Sequence, residues 1–190
     1  MSLDLPGFGD PVGDAQSCFR AVLDAMSRPG RIGRASARLT PPSGLAAATA
    51  AVALTLLDAE TSVFLDPTFF AASEWIGFHC GAPPTTLALA DFVVVGSLPD
   101  LAAVNAGSDE APENSATILL QVASLRRGRG FRLAGPGLES SAVLQVDGLP
   151  GDFVIQWQAN HALYPRGVDI ILCAGEELAA LPRSIKIEEA

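Results

Sequence analysis

The sequence predicts an α/β domain, a layered mixed β-sheet with flanking helices. Three observations carry this: four short β-branched runs bounded by turn residues, segments of helical composition between them, and an amphipathic helix near the start. Taken in order, residues 1–13 are rich in Pro, Gly and Asp without an apolar period, and read as an extended arm. Asp14 then stands as an acidic cap before Phe19, Val22, Leu23 and Met26, which recur at i, i+3, i+4 and i+7 until Pro29-Gly30 stops the helix. That stripe is expected to pack into the core. The uncharged run Gly44 to Leu57 is mostly alanine and leucine and too short to span a bilayer, which takes about 20 residues. It reads as a buried helix capped by Ser43, with alanines that allow close approach. Thr61–Leu65, Phe92–Val95, Thr117–Val122 and Val168–Cys173 read as strands buried on both faces. Thr68–Cys80, Pro99–Ala106 and Asp152–Leu163 have helical composition. Gly130–Ala134 and Ser141–Val146, joined through Gly135-Pro136-Gly137, suggest an antiparallel pair. Residues 14–190 are expected to form one domain.

With 190 residues, 49% of them hydrophobic, the chain can bury about 70% of its unfolded surface without disulfide or metal staples. Cys18, Cys80 and Cys173 lie far apart, form no C-x-x-C and are odd in number, which fits a reduced cytoplasmic protein. The first seven residues carry neither a basic stretch nor an apolar one, so no export signal is read. The 12 basic and 21 acidic residues argue against a nucleic-acid partner, and no membrane partner is expected. Positive charge is concentrated: Arg20, Arg28, Arg31, Arg34 and Arg38 fall in one segment and Arg126, Arg127, Arg129 and Arg132 in another, with Asp24 the sole acid inside either. Such polarity suits an anionic ligand or a docked partner; solvated arginines without a specific role are the plain alternative. Arg126, Arg127, Arg129 and Arg132 are the candidate anion or partner surface, the first three expected at a turn between two strands.

Chemistry is harder to find. Lys186 is the only lysine, and its Ile185-Lys186-Ile187 setting reads as solvated, so there is no phosphate loop and no core lysine for a pyridoxal-phosphate Schiff base. Gly135-Pro136-Gly137 lacks the third glycine of a dinucleotide fingerprint; it reads as a tight turn, and could alternatively form an anion nest near Arg132. His79 and Cys80 are adjacent, so a helix points them in different directions, and a zinc site with His161 has no ligand spacing to support it. His161 can serve a helix C-terminal dipole instead. No catalytic residue, cofactor or metal is assigned. On these residues alone the chain reads as a non-catalytic or partner-dependent domain.

Several words of the sequence resemble one family. Asp14-Ala15-Gln16, Phe19-Arg20, Leu23, Ala25-Met26-Ser27 and Pro29-Gly30 are similar to the start of the H subunit of bacterial carbon-phosphorus lyase. Thr117–Leu125, Arg132–Gly137, Pro165–Asp169 and Leu181-Pro182-Arg183 resemble it in the same order, from about Asp14 to the C-terminus. The resemblance implies a fold related to the large domain of pyridoxal-phosphate-dependent transferases with the cofactor site lost. It also implies a subunit role beside the I, G and J subunits in organic phosphonate catabolism, and a homodimer when isolated. With the G and I subunits and an ATP-binding-cassette protein, the family helps make ribose 1-methylphosphonate 5-triphosphate from ATP and an alkylphosphonate, displacing adenine. The J subunit, a radical enzyme, later breaks the carbon-phosphorus bond. The competing readings are a phosphonate- or nucleotide-binding enzyme that uses its arginines, and an isolated homodimeric binding module.

Overall fold

The computed structural model describes residues 5–35 and 39–189. Helix α1 spans Pro11–Ser27 and starts ahead of the expected cap. Asp10 is the capping residue, its carboxylate accepting from the Gly13 amide at 3.1 Å while Asp14, inside the first turn, accepts from the Asp10 amide at 3.0 Å. Pro11 at the first helical position has the φ a helix needs and no amide to leave unpaired, so the Pro-rich arm runs directly into the helix.

The expected core stripe of α1 is also corrected. Cys18, Val22 and Ala25 are the buried residues, whereas Phe19 and Leu23 are 45% and 51% exposed. Both faces of this helix satisfy the apolar period, and the small-residue face wins because α1 lies against the alanine-rich α2 (Ala47–Leu56). In α2 every residue from Ala48 to Ala53 is buried, as the composition suggested. Its cap is not Ser43. Ala46 is the capping residue, and the Gln121 side chain, far along the chain, accepts from the Ala46 amide at 2.7 Å and from the Thr49 hydroxyl at 3.1 Å.

Among the described residues nine strands build two sheets. The larger has the order β1 (Gly33–Arg34), β8 (Glu177–Leu181), β7 (Asp169–Ala174), β4 (Thr117–Gln121), β3 (Phe92–Val95) and β2 (Val63–Leu65). β2, β3, β4 and β7 run parallel, while β8 and β1 are antiparallel to their neighbours, so the sheet is mixed. Alternate residues serve opposite layers. Val94, Leu119, Ile171, Leu178 and Ala180 pack under α1, α2 and α3 (Phe70–Cys80). Val93, Ile118, Leu120, Ile170 and Leu172 face the other side, where α4 (Phe153–Ala162) and an antiparallel sheet of β6 (Ala142–Asp147), β5 (Ser124–Ala134) and β9 (Lys186–Glu189) lie. The central strands are thus buried on both faces, as their unbroken β-branched sequence required.

One further expectation fails, and two strands were not foreseen. Pro99–Ala106 is not a helix: Asp100 accepts from the Ala102 amide and closes a short 3-10 turn at Leu101–Ala103, after which Val104 returns to extended backbone. β8 and β9 carry no β-branched run to betray them. Alanine is a poor strand former, yet Leu178, Ala179, Ala180 and Leu181 are all buried between two layers, and burial overrides propensity. Lys186 on β9 is exposed, as expected.

Candidate functional site: an arginine-bearing groove

The two arginine segments meet where α1 ends against the β5–β6 turn. Gly30 has φ +83°, and a Cβ there would sit 3.0 Å from both Leu133 and Ala142 side chains; a Cβ on Gly137 (φ +86°) would sit 2.1 Å from the Ser27 carbonyl oxygen. Only glycine permits so close a backbone approach. The junction frames a groove of about 420 Å³ whose charged and hydroxyl-bearing lining is Arg28, Arg31, Arg127, Glu139, Ser140 and Ser141. Asp24, one turn back on α1, pairs with both Arg28 and Arg31, the latter at 3.1 Å. One carboxylate therefore holds two guanidinium forks side by side. Arg127 has no ion pair among the described residues.

The four arginines proposed from sequence neither form one cluster nor sit at a turn. They belong to β5, an 11-residue strand. Arg127 and Phe131 both pair with Leu144 of β6, so Gly128, Arg129 and Gly130 are looped out as a bulge. Gly130 (φ +129°) is indispensable to it: a Cβ would lie 2.5 Å from the Leu144 carbonyl oxygen. Register then separates the charges. Arg127 shares the inward parity of Leu144 and reaches the groove; Arg129 rides the exposed bulge; Arg126 and Arg132, opposite Gln145 and Val143, take the outward parity. Arg126 approaches Asp147 at 3.7 Å, and Arg132 stands opposite Glu188 of β9. The Ser124 hydroxyl, donating at 2.5 Å, then Gln145 and Arg126, hold the Asp147 carboxyl below its ordinary range. Of the first segment, Arg34 pairs with Glu176, and Arg38 lies outside the described residues. Gly135-Pro136-Gly137 does make a turn, the Leu138 amide donating to Gly135 at 3.3 Å. The arginines beside it in the groove are Arg28, Arg31 and Arg127; Arg132 does not line it.

Sequence reasoning missed Glu139, Ser140 and Ser141 as groove residues. The signal for the bulge was present: an arginine flanked by two glycines inside a strand-like run marks a place where the backbone leaves its ladder.

The residues considered for metal or nucleophilic chemistry do not converge. His79 Nε2 meets the Leu5 carbonyl at 3.1 Å beside the Trp75 indole, which donates to the same oxygen at 3.1 Å. Burial, with the nearby Asp58 charge, pushes the adjacent Cys80 thiol up to about 11. His161 lies across the sheet on α4, its Nδ1 meeting the Arg183 carbonyl at 2.9 Å. Among the described residues no group of three His, Cys, Asp or Glu is placed to hold a metal.

Fold and groove together define a three-layer, mixed-sheet α/β domain whose surface gathers arginines from distant segments. Residues 6–188 match the family model described as bacterial phosphonate metabolism protein (PhnH), and the chain belongs to that family. It is 40% identical over 187 residues to the alpha-D-ribose 1-methylphosphonate 5-triphosphate synthase subunit PhnH of Rhizobium meliloti (strain 1021), covering 95% of this chain and 94% of that protein. It is 33% identical over 173 residues to HtxG of Stutzerimonas stutzeri, named as a candidate C-P lyase subunit protein, covering 90% and 85%.

The sequence blocks that carried the resemblance now have places. Ala25-Met26-Ser27 with Pro29-Gly30, and Arg132–Gly137, form the junction beneath the groove. Pro165–Asp169 and Leu181-Pro182-Arg183 meet elsewhere: Arg183 binds Asp169 through Nη2 at 2.6 Å and Nε at 3.2 Å, and also donates to the Pro112 carbonyl at 2.8 Å.

Proposed function

We propose that this chain is a subunit of an alpha-D-ribose 1-methylphosphonate 5-triphosphate synthase, acting in organic phosphonate catabolism beside I, G and J subunits and without turnover of its own. The observation that carries this is the 40% identity to the named synthase subunit over nearly the full length of both chains. A relation to the pyridoxal-phosphate-dependent transferase large domain, with the cofactor site lost, is part of the same reading. The only lysine lies exposed on β9, and the α2 N-terminus at the ends of β4 and β7 is filled by Gln121 and by the Gly175 carbonyl, which accepts from the Ala48 amide at 2.8 Å. The protein is a homodimer when isolated and works in the cytoplasm. None of its described helices is long and apolar enough to cross a membrane. The outward arginines of β5 dock an acidic face of a partner subunit.

A strain deleted for the gene and supplied with methylphosphonate as sole phosphorus source should stop growing and recover with the wild-type copy. Normal growth of the deletion strain overturns the reading. A second reading, direct binding of phosphonate or nucleotide, is favoured by the convergence of Arg28, Arg31 and Arg127. Calorimetry with methylphosphonate and ATP, with and without partner subunits, separates the two.

A further inference from the structure

On the face of the large sheet opposite α1–α3, helix α4 turns an apolar stripe to solvent. Ile155 is 71% exposed, and Ala159 and Leu163, four and eight residues on, continue the same line. Tyr164, 62% exposed, extends it past the helix end. The 3-10 turn at Leu101–Ala103 forms the facing wall, tied to α4 by the Leu101 amide, which donates to Gln156 at 3.1 Å. Between the walls runs a groove of about 380 Å³, floored by Leu101 and lined by Ile155, Ala159 and Leu163. From Ile155 to Leu163 it extends about 12 Å, two turns of helix.

Acidic residues outnumber basic ones at both ends of this groove. At the Ile155 end stand Asp100 and Asp152, the latter accepting from Gln156 at 3.1 Å. At the Leu163 end the Arg166 amide donates to Leu163, and the Arg166 side chain holds Asp109, 84% exposed, at 2.9 Å in the segment that also carries Glu110 and Glu113. The negative end of the α4 dipole faces the same way. No arginine or lysine lines the groove; residues 39–125 and 133–165 contain neither.

Resting on the subunit reading above, we propose that this groove seats an amphipathic helix of a partner subunit, with an apolar ridge at i, i+4 spacing and basic residues toward both ends. A ridge between two apolar walls is how helix-in-groove recognition works, and the acidic ends set the partner's charge and its direction of approach. This site is separate from the arginine groove, so the molecule offers an acid-ended apolar slot on one layer and a basic groove at the junction of another.

The test replaces Ile155 with a photo-crosslinking benzoylphenylalanine in the full chain, co-expressed with its partner subunits. The expected product joins position 155 to a partner peptide with apolar residues three or four apart and at least two Lys or Arg. Ile155→Asp should retain about tenfold less partner, or lower still, while Ile155→Leu retains wild-type amounts and both keep the wild-type melting temperature. A crosslink to a second copy of this chain, an acidic or non-helical crosslinked peptide, or undiminished partner retention by Ile155→Asp overturns the proposal. If the wild-type chain itself recovers no partner, the subunit reading has failed and this inference fails with it.

Discussion

Cys173 shows how burial silences a side chain. It is wholly enclosed, and loss of solvent pushes its thiol up to about 12; burial likewise raises Cys18, and takes Cys80 to about 11. Since the thiolate is the nucleophile, the native protein should resist iodoacetamide at mildly alkaline pH and take up three labels once unfolded in urea. Rapid native labelling, read by intact mass, would contradict that burial. Arg183 and Asp169 illustrate the opposite case, a charge retained inside because its partner is there too. Their side chains are 16% and 14% exposed. Arg183→Leu strands the carboxylate and should lower stability by about 3 to 5 kcal/mol in urea denaturation. An unchanged midpoint would mean water reaches Asp169 freely.

Two phenylalanines separate the roles of whole helices. Phe153 of α4 is 1% exposed and stacks edge-on with Phe131 at 5.3 Å between ring centres, whereas Phe19 of α1 is nearly half exposed. Phe153→Ala should cost about 3 to 5 kcal/mol and Phe19→Ala less than about 2. Equal losses by chemical denaturation would show that α1 is seated differently. The strands β3, β4 and β7 were legible because apolar, β-branched runs have few alternatives to a doubly buried strand. The α1 face was not, since Phe19 and Leu23 on one side and Cys18, Val22 and Ala25 on the other obey the same period, and only the alanines of α2 decide between them. Gln121 as a helix cap was out of reach for a related reason: its amide acts on a segment 75 residues away in sequence. The arginine face was half legible. Composition located the charge, but the bulge at Gly128–Gly130 decides which arginine faces where, and register is a property of the pair of strands.

At the scale of the molecule, positive charge occupies a junction and one outward sheet face while acids dominate elsewhere. Replacing Arg126, Arg127 and Arg129 together with serine should leave the melting temperature nearly unchanged, because all three are exposed, yet slow association with the partner subunit and flatten its salt dependence. Stopped-flow mixing at two ionic strengths checks this; a wild-type rate at low salt would reduce the three arginines to ordinary surface.

The neighbour of β4 on one side is β7, and the chain between them must first make the β5–β6 hairpin and α4. During synthesis the hairpin can close as soon as it emerges, since its contacts are local, but the open edge of Ile118, Leu119 and Leu120 waits for most of the chain. A bare apolar strand edge is a template for the wrong partner. The vulnerable interval in the folding of this protein therefore falls at β4 and ends when β7 docks.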